Sequence, residues 1–329
     1  MKSCTIQHLH PMVKKIETKI GPKILANPYY GCEHSCLFCP ANDGFLNRKV
    51  FDDFREKRII YVVDNIVDHV CNYLDDNDQA DSVHLSPVSD PFQPIEYIEH
   101  KSEDIIDYAN RRGYPVAICT KGKIPDHIIP KIKENSHSFV QVSILTLNEE
   151  KRKKIVRGSG GTVEELLGMI EKLTETGILV IGRIDPIFPY ITDNMDEFAA
   201  LILELKKRKI THIVSSIADI IPGALERESD YLDSIERNLS KRYKQLYTHL
   251  INGRLHADLE YRENLFSKMK SICEDYGMKF GITWEPDNEG NSINSKFSHE
   301  LNDVEKADEN TRESRKYQKN SMHFTYERV

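Results

Sequence analysis

Three cysteines lie within eight residues of one another, at Cys32, Cys36 and Cys39, with the spacing C-x3-C-x2-C. They follow a short extended apolar run at residues 24–27. Thiolates are soft ligands that suit zinc, copper(I) and iron–sulfur clusters. Thiols packed this closely therefore indicate a bound metal centre rather than a part of the hydrophobic core.

The residues around the cysteines separate two kinds of centre. A structural zinc site takes four protein ligands, and His34 lies too close between the first two cysteines to join all three thiolates on one ion easily. An iron–sulfur cubane normally takes four thiolates, so three leave one iron open to a substrate or cofactor. Phe38, directly before the third cysteine, is an apolar shield that can pack on a planar ring. We favour the iron–sulfur cluster over zinc.

An alternation of strands and helices positions this loop. The first strand-like run lies at 24–27, and six more lie at 82–86, 115–119, 139–145, 178–184, 212–216 and 278–284. Helical segments lie at 102–112, 125–134, 162–176 and 194–208, and Thr162 and Glu165 form a capping box. This pattern is typical of βαβ units. About seven strands predict an α/β fold, an incomplete parallel (β/α) barrel with helical C-terminal additions.

The remaining segments lie at the two ends of the chain and between the predicted strands. Apolar periodicity predicts one helix over 51–76, and 225–276 is predicted to be helical with Asn252–Gly253 as a turn between two helices. The predicted organisation is an N-terminal extension packed across the barrel (1–23), a core barrel (24–216), a helical segment with the last strand (217–286) and a polar, flexible tail (287–329).

The composition and net charge limit the possible locations and functions of the protein. The 329 residues are 39% hydrophobic and 29% charged, with seven cysteines and a formal net charge of -7. No run is apolar enough to cross a bilayer, and the first residues have no stretch of signal-peptide type. We therefore expect a cytoplasmic protein with reduced thiols. The negative charge lends no support to a broad electrostatic hold on nucleic acid, although a local groove is compatible with it.

The cysteine motif, with an aromatic residue before its third cysteine, resembles that of the radical S-adenosylmethionine (SAM) enzymes. The segments Asn27–Cys36, Ser89–Glu96, Thr120–Lys121 and Val142–Ser143 resemble the spore photoproduct lyase-like branch, often labelled DNA repair photolyases. The likeness runs from about residue 24 to 216. It implies a [4Fe-4S] cluster on the three cysteines, SAM on the open iron, and reductive SAM cleavage to a 5′-deoxyadenosyl radical inside an incomplete barrel.

Polar residues at the carboxyl ends of the strands are the candidate cofactor contacts. The resemblance implies that Ser89 faces the amino group of SAM, that Lys121 neutralises its carboxylate and that Ser143 meets its ribose. Asp90, beside Ser89, and Asp185, at the end of the fifth strand, join this set. Phe38 is the candidate for packing on a ring.

Other candidates depend on weaker signals. Arg157 precedes a glycine-rich stretch that is either a mobile loop over the site or a plain linker. The lyase uses a cysteine hydrogen-atom donor before its strand-two aspartate, but 85–90 contains none here. Cys119 is a candidate substitute, because side chains alternate along a strand and it lies two residues before Lys121. Trp284 and Glu285 end the last strand and are candidates to reach the same pocket.

The sequence leaves three functions open. The first is a radical SAM enzyme that abstracts a hydrogen atom from a nucleobase or nucleic acid, in repair or base modification. The second keeps this chemistry but acts on a peptide or small metabolite, and the third is a non-catalytic iron–sulfur or zinc-binding protein. The resemblance also implies an electron donor such as flavodoxin or ferredoxin.

Overall fold

The computed structural model describes residues 5–9, 13–18, 21–43, 52–76, 82–86 and 88–298. Within them the strands are β1 (Thr5–Leu9), β2 (Val13–Thr18), β3 (Gly21–Ala26), β4 (Tyr29–Tyr30), β5 (Ile59–Val63), β6 (Ser82–Leu85), β7 (Val116–Thr120), β8 (Phe139–Ser143), β9 (Leu179–Ile187), β10 (His212–Ile217), β11 (His249–Ile251), β12 (Arg254–His256) and β13 (Lys279–Ile282). The helices are α1 (Phe54–Lys57), α2 (Ile66–Asp76), α3 (Glu96–Glu99), α4 (Lys101–Arg111), α5 (Ile128–Glu134), α6 (Glu149–Ile155), α7 (Val163–Glu175), α8 (Met195–Lys207), α9 (Ala224–Arg227), α10 (Ser229–Ile235), α11 (Leu239–Leu246), α12 (Leu259–Asp275) and α13 (Asn294–Phe297).

The centre of the fold is a sheet of eight strands in the order β13-β10-β9-β8-β7-β6-β3-β2. Seven of these strands, from β3 to β13, run parallel, and β2 adds an antiparallel strand at the β3 edge. In the part of the chain that the structure describes, no pairing joins β3 to β13. The predicted incomplete parallel (β/α) barrel is therefore confirmed.

Helix α7 illustrates why the predicted elements form. Its capping box is present: the Thr162 hydroxyl accepts a hydrogen bond from the Glu165 N–H at 3.2 Å, and the Glu165 carboxylate accepts one from the Thr162 N–H at 2.9 Å. One face of the helix buries Leu166, Met169, Ile170 and Leu173. Burial of each such side chain contributes roughly 1.5–3 kcal/mol, which anchors the helix against the sheet.

The helix predicted over 51–76 is wrong for the part that the structure describes, from residue 52 onward. That part contains α1, then strand β5, then α2. Arg58 adopts a left-handed conformation (φ 57°) that ends α1, and the following Ile-Ile-Tyr-Val-Val run favours a strand. Strand β5 pairs with β1 and β4 in a small second sheet. Since β4 leads directly into the cysteine loop, this sheet holds the start of that loop.

The turn at Asn252–Gly253 joins two strands, not the two helices predicted. Both residues have positive φ, 51° and 79°, which is the geometry of a tight hairpin turn for which Asn-Gly is favoured. Strands β11 and β12 pair across it. A bridge between Ile220 and Leu255 attaches the hairpin to the loop after β10.

The terminal segments also differ from prediction. The described parts of the 1–23 extension are strands: β1 pairs with β5, and β2 with β3. The predicted tail starts too early, because α13 buries Phe297, whose ring centroid lies 5.7 Å from that of Phe266. The rest of that tail, 299–329, lies outside the described residues. None of the described helices combines the length and apolar character needed to cross a membrane.

Candidate functional site

The cysteine loop is a series of tight turns that only certain residues allow. Gly31 has a φ of 83°, and a Cβ there would lie 2.7 Å from the carbonyl oxygen of Ile59. Backbone hydrogen bonds of 3.2 Å and 3.3 Å close turns that begin at Cys32 and Cys36. As a result the loop folds back on itself directly beyond β4.

All three cysteines line one cavity of about 560 Å³ at the carboxyl ends of the parallel strands. Arg157 is the one predicted site residue that does not line it. The others do; these are Cys32, Cys36, Phe38, Cys39, Ser89, Asp90, Cys119, Lys121, Ser143, Asp185, Trp284 and Glu285. The cavity therefore brings together predicted residues from six separate segments of the chain. Their roles in binding a cofactor stay predictions.

The cysteine thiols are suited to a multi-iron cluster. Burial raises the pKa of all three, that of Cys36 to about 12, although Lys121 acts in the opposite direction. Metal binding removes such protons. All three thiols line the same cavity, and thiolates are the ligands that iron–sulfur clusters take.

A buried pair attaches the loop to the strand ends. His34 Nε2 lies 3.1 Å from Asp90 Oδ2, and both side chains are almost fully buried. Asp90 also accepts hydrogen bonds from the Lys121 N–H (2.6 Å), the Thr120 hydroxyl (2.7 Å) and the Phe92 N–H (2.9 Å). Burial favours the protonated carboxyl, but His34 and these donors outweigh it and hold the pKa of Asp90 below its usual value.

Because protein groups contact both of its oxygens, Asp90 braces the loop, and its contact with SAM stays a prediction. A second brace comes from the chain after α6. The Gly158 N–H donates to the His34 carbonyl at 2.8 Å, and a Cβ on Gly158 would lie 1.9 Å from the carbonyl oxygen of Glu33. Only glycine permits this close backbone approach.

The wall beyond the cysteines carries a cation and unpaired hydroxyls. Burial lowers the pKa of the Lys121 ammonium, but Cys36, Cys119 and Asp185 outweigh it and raise the value above normal. Ser143 is buried and its Oγ has no hydrogen-bond partner in the described structure. Ser86, which the sequence analysis missed, has the same property. Ser89 instead donates to the Tyr29 carbonyl at 2.8 Å.

Arg157 is not among the residues that line the cavity, and its role as a cofactor ligand stays a prediction. Its guanidinium donates to both carboxylate oxygens of Glu228, at 2.8 Å and 3.0 Å, and lies 4.8 Å from the ring centroid of Tyr231. Its Nε donates to the Ser35 carbonyl at 3.3 Å. Arg157 therefore supports the cysteine loop from outside. Phe38, by contrast, does line the cavity, with its ring centroid 5.9 Å from that of Tyr243.

Strand β9 contributes a charged pair to the middle of the cavity. The Asp185 carboxylate accepts from the guanidinium of Arg183 and from the Ser216 hydroxyl, while Arg183 also donates to Gln141 at 2.6 Å. Protein groups therefore contact both oxygens of Asp185, and its role in cofactor binding stays a prediction. Cys119 lines the cavity together with Lys121, as strand alternation predicts.

The end of the cavity farthest from the cysteine loop along the sheet contains groups that sequence reasoning mostly missed. Asp219 is paired with Arg254 at 2.8 Å, and His256 and Glu285 are buried. Burial raises the pKa of Glu285 to about 7, against the effects of the Ile217 N–H and Arg262. The position of Asp219 directly after β10 could have indicated a cavity residue. His256 could not be recognised, because the hairpin that carries it was predicted to be helical.

Comparisons with known proteins agree with this arrangement. A sequence model of the radical SAM superfamily matches residues 26–227. A protein named radical SAM Nalpha-GlyT isomerase, from Pseudomonas phage M6, is 26% identical over 258 residues, which are 77% of this chain and 48% of that protein. An uncharacterized protein from Methanocaldococcus jannaschii is 27% identical over 179 residues, 54% of this chain and 65% of its own. The chain thus spans from about half to just under two thirds of these relatives.

The structural likeness concerns the fold. Spore photoproduct lyase complexed with dinucleoside spore photoproduct superimposes with a TM-score of 0.60 at 16% identity, covering 85% of this chain and 82% of that one. The matched region of the family model contains the cysteine loop and the strand ends from β6 to β10. The chain belongs to the radical SAM superfamily of enzymes and has the fold of spore photoproduct lyase.

Proposed function

We propose that the chain is a SAM-cleaving enzyme that abstracts a hydrogen atom from a substrate containing a nucleobase. The observation that carries this proposal is one cavity of about 560 Å³, which is lined by three thiols, a half-buried cation and unpaired buried hydroxyls. A cavity of this size is within the range typical of small-molecule sites.

The three cysteines would hold a [4Fe-4S] cluster. The cluster and SAM supply the electron and the 5′-deoxyadenosyl radical when bound. The contribution of the chain is to orient and shield them. Asp90 and His34 fix the loop against the ends of β6 and β7, and Phe38 covers the loop with an apolar ring. A rigid, shielded site keeps the reactive species away from water.

The groups beyond the cysteines suit the polar parts of SAM. A carboxylate calls for a cation, and the Lys121 ammonium stays charged because the anionic groups near it outweigh burial. A hydroxyl or ammonium group calls for an acceptor, which the free Oγ atoms of Ser143 and Ser86 offer. An unpaired buried hydroxyl costs roughly 1–3 kcal/mol, so a ligand that pairs with it gains that contribution.

Two similar proteins and one exposed side chain bear on the substrate class. The phage relative is named for a GlyT isomerase, and the structural neighbour binds a dinucleoside photoproduct. Trp284 lines the cavity with 52% of its surface exposed, and an exposed indole is a good stacking platform for a base. An electron donor such as flavodoxin or ferredoxin would reduce the cluster.

Anaerobic reconstitution followed by measurement of 5′-deoxyadenosine release tests this function. The wild type is expected to take up iron and sulfide and to release 5′-deoxyadenosine from SAM on reduction. Cys36→Ala should lose both properties, and the matched control Cys71→Ala, in α2 away from the cavity, should keep them. Full activity in Cys36→Ala would refute the assignment.

The nucleobase part has its own test. Single-stranded DNA deuterated on its bases is expected to accelerate SAM cleavage and to transfer deuterium into 5′-deoxyadenosine. If DNA does not accelerate SAM cleavage but a peptide mixture does, and deuterium is transferred only from deuterated peptides, the substrate is a peptide and not a nucleobase.

A further inference from the structure

The cavity extends well beyond the groups assigned to the cluster and SAM. The cysteine loop follows β3 and β4, whereas β13 lies at the opposite end of the parallel strand order. What we call the β13 end consists of cavity residues at or after the carboxyl ends of β10 and β13, together with one from the hairpin; they are Ser216, Asp219, His256, Thr283, Trp284 and Glu285. None of the residues assigned to the cluster or to SAM belongs to this end.

His256 offers an unusual acceptor at the β13 end. It is the last residue of β12 and is only 4% exposed, and its Nε2 has no hydrogen-bond partner within the described residues. A hydrogen bond with the backbone of Ile251 raises the pKa of the ring, as a carbonyl that accepts a ring N–H does. We assign that N–H to Nδ1, because Nε2 has no partner, and this tautomer leaves a lone pair on Nε2.

The groups facing His256 keep its ring neutral. Burial lowers its pKa to about 4, and the guanidinium groups of Arg262 and Arg254 act in the same direction, with a smaller effect from His249. A neutral ring with its Nδ1 proton committed can only accept at Nε2. A ligand that contacts this atom must therefore bring an N–H or O–H group.

The position of this acceptor is rigidly defined. Arg262 donates to the Ala257 carbonyl at 2.8 Å, to the Pro286 carbonyl at 2.7 Å and to Glu285 at 3.0 Å. Glu285 in turn accepts from the Ile217 N–H at 2.9 Å. These bonds join the residue after His256 to the segment that carries Trp284, so the acceptor and the indole belong to one braced unit.

We propose that the β13 end is a base-recognition subsite, in which His256 Nε2 accepts a hydrogen bond from a ring N–H of the substrate base and the Trp284 indole stacks on the base. This proposal rests on the proposed nucleobase substrate and narrows it to bases with a ring N–H, such as thymine. A buried acceptor that stays unpaired rejects a ligand without the donor. Methylation of the ring nitrogen should thus abolish most of the affinity.

The test uses the fact that Trp284 is the only tryptophan in the chain. Its fluorescence therefore reports on this subsite alone, without any need for turnover. The reconstituted protein, with SAM bound, is titrated with thymidylyl-thymidine and with its analogue methylated at both N3 atoms. We expect the unmethylated ligand to bind at least about 10-fold more tightly, the equivalent of about 1.4 kcal/mol.

Variants of His256 separate recognition from folding. His256→Leu should bind both ligands equally, while His256→Gln, which keeps an acceptor, should recover part of the preference. His249→Gln, in the same hairpin but half exposed, is the matched control and should behave as the wild type. Iron content and SAM binding should stay unchanged in all three, which excludes a folding defect.

The outcomes distinguish this proposal from the proposed function. Equal binding of both ligands by the wild type, or a preference that survives in His256→Leu, would overturn the subsite, while deuterium transfer from DNA would still support a nucleobase substrate. If neither ligand changes Trp284 fluorescence and no DNA accelerates SAM cleavage, both proposals fail.

Discussion

Replacement of Asp90 by asparagine should loosen the cysteine loop. The side chain joins four partners: His34, the Thr120 hydroxyl and the backbone N–H groups of Phe92 and Lys121. An asparagine retains one carbonyl oxygen for the Phe92 and Thr120 donors. Its amide nitrogen would then face the Lys121 N–H and His34, so at least one buried donor loses its acceptor.

The size of the effect follows from burial. Asp90 is only 7% exposed and its partner His34 1%, so water cannot replace the lost contacts. Loss of an acceptor that leaves a buried donor unsatisfied costs roughly 1–3 kcal/mol. If the urea m-value is about 3 kcal/mol per M, the unfolding midpoint should fall by about 0.3–1 M.

The effect should also depend on pH. The pKa of Asp90 is lowered in the folded chain, so its stabilisation is fully present above the unfolded pKa of about 3.9 and is lost as the pH falls through the folded value. The stability gap between wild type and Asp90→Asn should therefore be constant near neutral pH and should narrow below about pH 4.

Urea unfolding of the reduced apoprotein, followed by iron analysis after reconstitution, measures this prediction. Asp107→Asn is the control, because its pair with Lys131 is partly exposed and such pairs contribute about 1 kcal/mol or less. An Asp90→Asn variant with the midpoint and iron content of the wild type would show that the buried pair does not hold the loop.

Three further predictions concern the cavity and its supports. Lys121→Met should weaken SAM binding by roughly 30-fold to 1000-fold, since loss of a charge partner costs about 2–4 kcal/mol. The control Lys123→Met changes an exposed lysine and should leave SAM binding unchanged. Calorimetric titration with SAM measures both affinities. Cys119→Ala should keep the cluster and the release of 5′-deoxyadenosine but slow product formation on DNA, and an unchanged product yield would exclude it as hydrogen-atom donor. Gly158→Ala should lower the melting temperature and the iron uptake, because the added Cβ would overlap a carbonyl oxygen. Gly168→Ala, whose Cβ meets nothing within 4 Å, should instead stabilise α7 by about 0.5–1 kcal/mol. Equal melting temperatures for the two variants would contradict the predicted overlap at Gly158.

The parts of the site that sequence predicts well are those that short-range patterns encode. The spacing alone identifies Cys32, Cys36 and Cys39 as candidate ligands. The regular strand and helix periods predict that Lys121 and Ser143 meet at one edge of the sheet. The cavity contains them all. Parallel strands leave little freedom in where their carboxyl ends lie, so local signals suffice there.

Other features depend on contacts between segments far apart in the chain. Arg157 has the chemistry of a cofactor ligand, but Glu228, 71 residues later, binds its guanidinium. The run from Ile59 to Val63 fits a helical period, yet pairing with β1 and β4 makes it a strand. His256 reaches the cavity only through the hairpin. No local pattern reveals which long-range partner a residue acquires.

The most direct test of the central claim is electron paramagnetic resonance of the reduced, reconstituted protein, combined with iron and sulfide analysis. The account predicts about four irons and four sulfides per chain, with a cluster signal that changes when SAM is added. A protein that takes up one zinc ion, or a cluster whose signal SAM leaves unchanged, would contradict it.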